Sequence, residues 1–275
     1  MADTPQLEAP QSEEDELKAG EMPLLEHLIE LRQRLIYSLV AVGALCIICF
    51  IVSDQLFDFL LGPFKAAVPK VSDVHLIYTA PQEFFFTKLS VALFAAIFFA
   101  FPVIASQIYM FVAPGLYKRE RKAFLPYLVA TPFFFLLGAA LVYYIVIPMA
   151  LRFFLGMQET SPNGVSITMQ TRVSEYLTFI MTLIMAFGVC FQLPVILTLL
   201  ARIGLVGSPL LKKGRKYAIV VFLVISALLA PPDPFSQIGL TVPLYLLYEF
   251  SIQAVIWVEK QKAKKEAAEK AALGL

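Results

Sequence analysis

Apolar residues in this chain come in long runs separated by short polar joins, and six such runs can be traced. They cover about Leu35 to Val52, Phe84 to Ala113, Phe124 to Phe154, Tyr176 to Ala201, Tyr217 to Ala230 and Phe235 to Val258. The joins "LGPFKAAVPKVSD", "PGLYKRERK", "QETSPNG", "RIGLVGSPLLKKGRK" and "PPDP" carry turn formers or charge runs. About 20 apolar residues of helix cross roughly 30 Å of hydrocarbon. Backbone groups in lipid must bond within their own segment, which selects helix over isolated strand. The pattern predicts an all-α, polytopic membrane protein of six transmembrane helices.

Run lengths add detail. Between Lys216 and Pro231 stand only 14 residues, "YAIVVFLVISALLA", and Phe235 to Tyr248 is again 14. Each gives about 21 Å of helix, short of the hydrocarbon thickness. Either the last two helices run past these markers, with Lys216 snorkelling and Glu249 buried against a neighbour, or the short hairpin thins the bilayer. The second and third runs are long instead, about 30 residues each. Pro102, Pro132, Pro148 and Pro194 are expected to kink their helices, and kinked long helices enclose a concave face.

Charge sets orientation. Seventeen Lys and Arg fall on one side: Lys18, Arg32, Arg34, the "KRERK" join, the Arg202–Lys216 segment and the C-terminal tail. Five fall on the other, Lys65, Lys70, Lys88, Arg152 and Arg172. The positive-inside rule places both termini in the cytoplasm. The overall balance, +1 net with 59% hydrophobic and 16% charged residues, gives no footprint for nucleic acid. Residues 1–22 hold seven acids and one lysine with no apolar core, unlike a secretory signal or transit peptide. They read as a disordered acidic tail, followed by a six-helix transmembrane domain over 23–259 and a charged tail over 260–275.

Catalytic chemistry is sparse, which argues against an enzyme or a bound cofactor. Cys46 and Cys49 form a C-x-x-C within an apolar run, where small apolar packing is the simpler reading than redox or zinc chemistry. There is no nucleotide-binding G-x-x-x-x-G-K-[ST], no H-E-x-x-H and no G-x-S-x-G. Asp233 has no second acid nearby to form a dyad. Gln192, Ser226, Gln237 and Glu249 are the polar groups inside spans, each suited to a helix–helix hydrogen bond or to a functional role.

The lead-in "EHLIELRQRL" stands apart. Leu24, Leu28, Leu31 and Leu35 share one helical face, with Glu26, Glu30 and Arg34 on the other. Glu30 and Arg34 are spaced for an i, i+4 ion pair of about 0.2–0.5 kcal/mol. "YKRERK" sets a second acid, Glu120, on the same side among four basic residues. Two acids facing one compartment form a candidate socket for a cationic partner, provided the neighbouring basic side chains turn to lipid phosphates.

"HLIELRQRL", "FVAPGLYKRERKAF", "MAFGVCFQLPV", "RIGLVGSPLLKKGRKYAIVVFLVISALLAPPDPFSQ" and "VPLYLLYEF" closely resemble the TatC family, core subunits of the bacterial twin-arginine protein translocase. The resemblance runs from about His27 to Glu259. It implies a multi-pass receptor of the bacterial inner membrane that binds twin-arginine signal peptides of folded cargo. It further implies self-association, assembly with single-span TatA- and TatB-type partners, and transport driven by the proton-motive force. By the same resemblance, Glu30 and Glu120 receive the arginines, with Arg32 in the "ELR" motif beside them. Pro63 matches a proline of the first periplasmic loop, and Gln237 a polar region that engages partner helices. Three positions depart from the family pattern: Gln192 where many relatives have glutamate, Ala230 where a hydroxyl can stand, and Tyr109 in place of a tryptophan. The alternative reading, a proton- or ion-coupled secondary transporter of small solutes, wants an internal repeat that the six runs do not display.

Overall fold

The computed structural model describes residues 24–67, 76–112, 121–156, 159–160, 166–167, 170–229 and 234–272. These are helical almost throughout. Helix α1 is Leu24–Ile51, α2 Ser53–Leu60, α3 Gly62–Ala67 and α4 Pro81–Val112. Then come α5 Arg121–Leu141, a π turn at Val142–Val146, α6 Ile147–Gly156, α7 Val173–Cys190 and α8 Leu193–Arg202. Helices α9 (Ser208–Leu229) and α10 (Pro234–Ala272) complete the order, and two-residue strands at Glu159–Thr160 and Ser166–Ile167 pair antiparallel.

Among the described residues, five helical stretches are long and apolar enough to cross a membrane: His27–Ile51, Pro81–Phe111, Pro126–Gly156, Val173–Arg202 and Gln237–Lys265. The sixth expected run lies in α9, where Lys212, Lys213, Arg215 and Lys216 occupy the same helix ahead of the apolar part. The helix therefore continues past Lys216. Helix α10 likewise passes Glu249 and runs on through residues 260–272 without a break.

The prolines act unequally. Pro102 lies inside a continuous α4, and Pro126 and Pro132 inside a continuous α5. Pro148 cannot donate to the carbonyl of Tyr144, and the π turn Val142–Val146 immediately precedes it. Pro194 cannot donate to the carbonyl of Cys190, where α7 ends. The run Tyr176–Ala201, expected as one span, is thus two helices with a break at Phe191 and Gln192.

Helix α7 is the hub of the core. Leu177, Ile180, Leu183 and Phe187 are fully buried there. Its crossing with α5 is tight: a Cβ at Gly188 would lie 2.5 Å from the Phe135 ring, and one at Gly138 2.8 Å from the Phe187 carbonyl. Small residues at a crossing let two backbones approach, which drives packing where lipid supplies no hydrophobic force. Helix α1 sits at the edge, laid along α4 over the buried Cys49, Ala92, Ala95 and Ala96. Its leucine face turns outward, with Leu28 59% and Leu35 66% exposed. Glu30 and Arg34 of the lead-in face protein, as suits a helix whose apolar solvent is lipid.

The first loop holds two short helices that hydrophobic periodicity did not indicate. Pro63 and Phe64 of α3 are buried. Pro63 has no N–H for the Phe59 carbonyl one turn earlier. The Tyr143 hydroxyl donates to that carbonyl at 2.6 Å, and the Tyr176 hydroxyl donates to the next one, Leu60, at 3.3 Å. The α2–α3 cap is thereby fastened to the third and fourth spans.

Candidate functional site

At the end of the bundle opposite that cap, α1 and α4 run side by side. Glu30 projects from α1 toward Arg34 one turn on, with Arg34 Nη2 donating to Glu30 Oε1 at 3.2 Å. Arg34 also crosses to α4, where Nη1 reaches Gln107 Oε1 at 3.4 Å and Met110 Sδ at 3.7 Å. The His27 ring stacks on Phe111 with centroids 4.3 Å apart, closing the same seam. Glu30 is 21% exposed, and among the described residues its second oxygen accepts no hydrogen bond. The i, i+4 pair is thus formed, yet it leaves half of the carboxylate available beside a partly shielded surface. Arg32 lies two residues on, about 200° around the helix from Glu30, and is exposed. Glu120, the other expected acid, falls outside the described residues, as do Ala230 and Asp233.

The other sequence candidates lie elsewhere. Pro63 is in the cap, at the far end of the bundle from Glu30. Gln192 occupies the break between α7 and α8, 6% exposed. Its Nε2 donates to the Thr131 carbonyl at 3.0 Å and the Gly188 carbonyl at 3.5 Å, while its Oε1 meets no donor among the described residues. Tyr109 joins this cluster, its hydroxyl 2.9 Å from Thr131 Oγ1. Gln237 Nε2 donates to the Leu223 carbonyl at 3.2 Å, linking α10 to α9. One turn further in, Thr241 Oγ1 donates to Ser226 Oγ at 3.0 Å.

The same two helices are tied at their charged end. Arg215 pairs with Glu249 at 2.7 Å, the Tyr248 hydroxyl donates to the Leu211 carbonyl at 2.9 Å, and the Ser208 N–H donates to Glu259 Oε1 at 2.8 Å. These contacts make the α9–α10 hairpin one unit, although α9 is exposed along Val220, Val224 and Leu228. Sequence reading did not connect Arg34 to Gln107 and Met110, which lie 73 and 76 residues away. Periodicity carries no information at such separations. A charge inside an amphipathic lead-in was the available signal, and it pointed to the right end of α1.

Chemically, the Glu30 end offers a partly shielded carboxylate held by a neighbouring guanidinium, at a helix seam lined by a ring stack and a thioether. Such a surface is chemically suited to a cation. Comparisons with known proteins fit a chain of this kind. The family model for the Sec-independent protein translocase protein TatC matches residues 26–243. The TatC protein of Magnetococcus marinus is 44% identical over 249 residues, covering 90% of this chain and 89% of that protein. That of Escherichia coli K12 is 37% identical over 232 residues, covering 84% and 86%. A crystal structure of the twin arginine translocase receptor TatC superposes with a TM-score of 0.74 at 36% identity, over 85% of this chain and 99% of that one. A second, in DDM, gives 0.73 at 37%, over 82% and 97%. With the likeness extending from the lead-in helix into α10 in both sequence and fold, the chain belongs to the TatC family of Sec-independent protein translocase proteins, and is a multi-pass membrane component of a translocase rather than an enzyme.

Proposed function

We propose that this chain is the receptor that reads the paired arginines of signal peptides on folded cargo, in a twin-arginine translocase of a bacterial inner membrane. The observation that carries this reading is the Glu30 carboxylate, 21% exposed at the α1–α4 seam with one oxygen held by Arg34 and the other unengaged among the described residues. A guanidinium meets a carboxylate through short, charge-assisted bonds in a fork geometry that an ammonium does not reproduce. Glu120, on the same side by sequence, supplies the second carboxylate. Arg32 supports the site, and the reading requires the basic side chains around Glu120 to turn to lipid phosphates so that the acids meet the peptide. The Glu30 end is cytoplasmic and the α2–α3 cap periplasmic, with both termini in the cytoplasm and α9 serving as the short fifth of six spans. The exposed flank of α9 beside Gln237 receives the single helices of TatA- and TatB-type partners, copies of the chain self-associate, and the proton-motive force drives transport. A small-solute transporter gains no support from any described feature.

The test compares twin-arginine and twin-lysine signal peptides on the wild type, Glu30→Gln and Glu120→Gln. Each substitution weakens arginine-peptide binding by about 1 kcal/mol or more, several-fold in affinity, and narrows the preference for arginine over lysine. Glu14→Gln, in the acidic tail, leaves binding unchanged. If both variants keep the full preference for arginine, these carboxylates do not read the guanidinium and the reading fails.

A further inference from the structure

At the capped end of the bundle, α2, α4 and the third span enclose a cavity of about 300 Å³ that presents no polar atom on its wall. Leu56 and Phe59 of α2 roof it, Val91 and Phe98 of α4 form one side, and Leu136 and Tyr143 the other. The Tyr143 hydroxyl is already bonded to the Phe59 carbonyl. The rim is open sideways, where the lining residues Phe99, Leu136 and Tyr144 are exposed. From Val91 to Phe99 the cavity follows α4 for about 12 Å. These residues lie inside apolar stretches long enough to span a bilayer. Water has no polar partner there, so the space suits hydrocarbon entering through the open side.

Charge at the mouth narrows the occupant. Lys88 lies three residues before Val91, on the same face of α4. It forms an ion pair with Asp54 of α2, which is 74% exposed, and Lys88 itself is 25% exposed. The described mouth residues thus carry one charge of each sign, Lys88 and Asp54. An anionic headgroup taken by Lys88 would bring no cation for the Asp54 carboxylate. A zwitterion brings both poles: its phosphate can take Lys88 and its ammonium can donate to Asp54. A primary ammonium forms charge-assisted hydrogen bonds that a quaternary one, lacking N–H groups, does not.

We infer that this cavity is a binding site for one phospholipid of the leaflet on the cap side. Its acyl chain lies along Val91–Phe99, and its headgroup, a phosphate with a primary ammonium, bridges Lys88 and Asp54. The inference is independent of the receptor reading and of which compartment the cap faces.

The test uses the full chain in nanodiscs doped with phosphatidylethanolamine carrying a photoactivatable group mid-chain, with phosphatidylglycerol and phosphatidylcholine bearing the same chain as comparisons. Cross-linked peptides are mapped by mass spectrometry. The ethanolamine lipid labels residues 91–99 and 136–144 above the background on the outer face of α1. It exceeds the glycerol and choline lipids by about tenfold, the effect of one charge-assisted hydrogen bond. Asp54→Ala abolishes that preference, and Ala140→Trp, which fills the rim, removes the label. Equal labelling by all three lipids on the wild type, or labelling no greater than on α1, overturns the proposal. So does an occupant that proves to be a partner helix or a signal peptide, seen as lipid label lost when either is added. The headgroup comparison needs no variant, so a misfolded Ala140→Trp does not remove the test.

Discussion

Pro63 removes one backbone donor to the Phe59 carbonyl, which keeps a backbone N–H at the end of α2 and gains the Tyr143 hydroxyl, 84 residues on, as a second donor. The Phe59 carbonyl sits next to lipid-facing side chains, where an unmade hydrogen bond is expensive. Tyr143→Phe therefore lowers stability by about 0.5–1.5 kcal/mol, measured by reversible denaturation in mixed micelles. Pro63→Ala restores an N–H at that position, so the same tyrosine change has a smaller effect in the alanine background. Strictly additive losses would show that the hydroxyl is not standing in for the proline's missing donor. The interior polar residues follow the same logic. Gln192, Ser226, Gln237 and Glu249 each take a partner on another helix. Their types and depths were legible in the sequence. Their partners were not, because a hydrogen bond between spans joins residues that no local pattern relates.

Among the elements, the α9–α10 hairpin departs most from an ordinary span. Its apolar part in α9 begins at Tyr217, yet the helix starts at Ser208, and α10 continues through Ala272. Extension past the charged markers thus occurs, with Glu249 held by Arg215. In α9 the apolar stretch from Tyr217 to Leu229 remains about 20 Å long, well below the hydrocarbon thickness. The expectation of an equally short last span is corrected by α10, whose Gln237–Lys265 is long enough to cross. A short apolar stretch fixed between charged ends favours local thinning of the bilayer. Lengthening both helices by one turn of leucines should leave insertion and signal-peptide binding intact and reduce export of a folded reporter. Full export by the lengthened protein would remove any mechanistic role for the short spans. Helix α1 is the contrasting element, since its leucine periodicity was plain but left open which way that face turns, and it turns outward. In water an apolar face turns inward, whereas at the edge of a membrane bundle it turns to lipid.

For the whole molecule, the charge asymmetry makes a topological prediction. In a background lacking Cys46, Cys49 and Cys190, a cysteine replacing Asn163 should react with an impermeant thiol reagent added outside the cell membrane. Cysteines replacing Pro10 and Ala268 should react only once the cytoplasmic side is exposed. Labelling of position 10 from outside would reverse the assignment that seventeen basic residues against five support. The conservative choice at Cys49 is alanine, because that side chain is buried against Ala92, Ala95 and Ala96.

The sequence by itself determined that this is an all-α membrane protein and which side its charges favour, and it pointed to a translocase component rather than an enzyme. The helical class and the charge asymmetry follow from local composition and from lipid being a poor solvent for charge and for unpaired backbone, and neither depends on how the helices meet. The motifs "HLIELRQRL" and "FVAPGLYKRERKAF" also sufficed for the family, since they are contiguous. Tertiary structure alone decided that the fourth run divides at Gln192, that the first loop folds into a cap fastened by Tyr143 and Tyr176, and that Glu30 shares Arg34 with Gln107. Each of these is a contact or a break set by packing between distant segments. In a membrane the apolar pattern that places a helix in the bilayer is satisfied equally by lipid and by protein, so it leaves open which neighbour the helix will find.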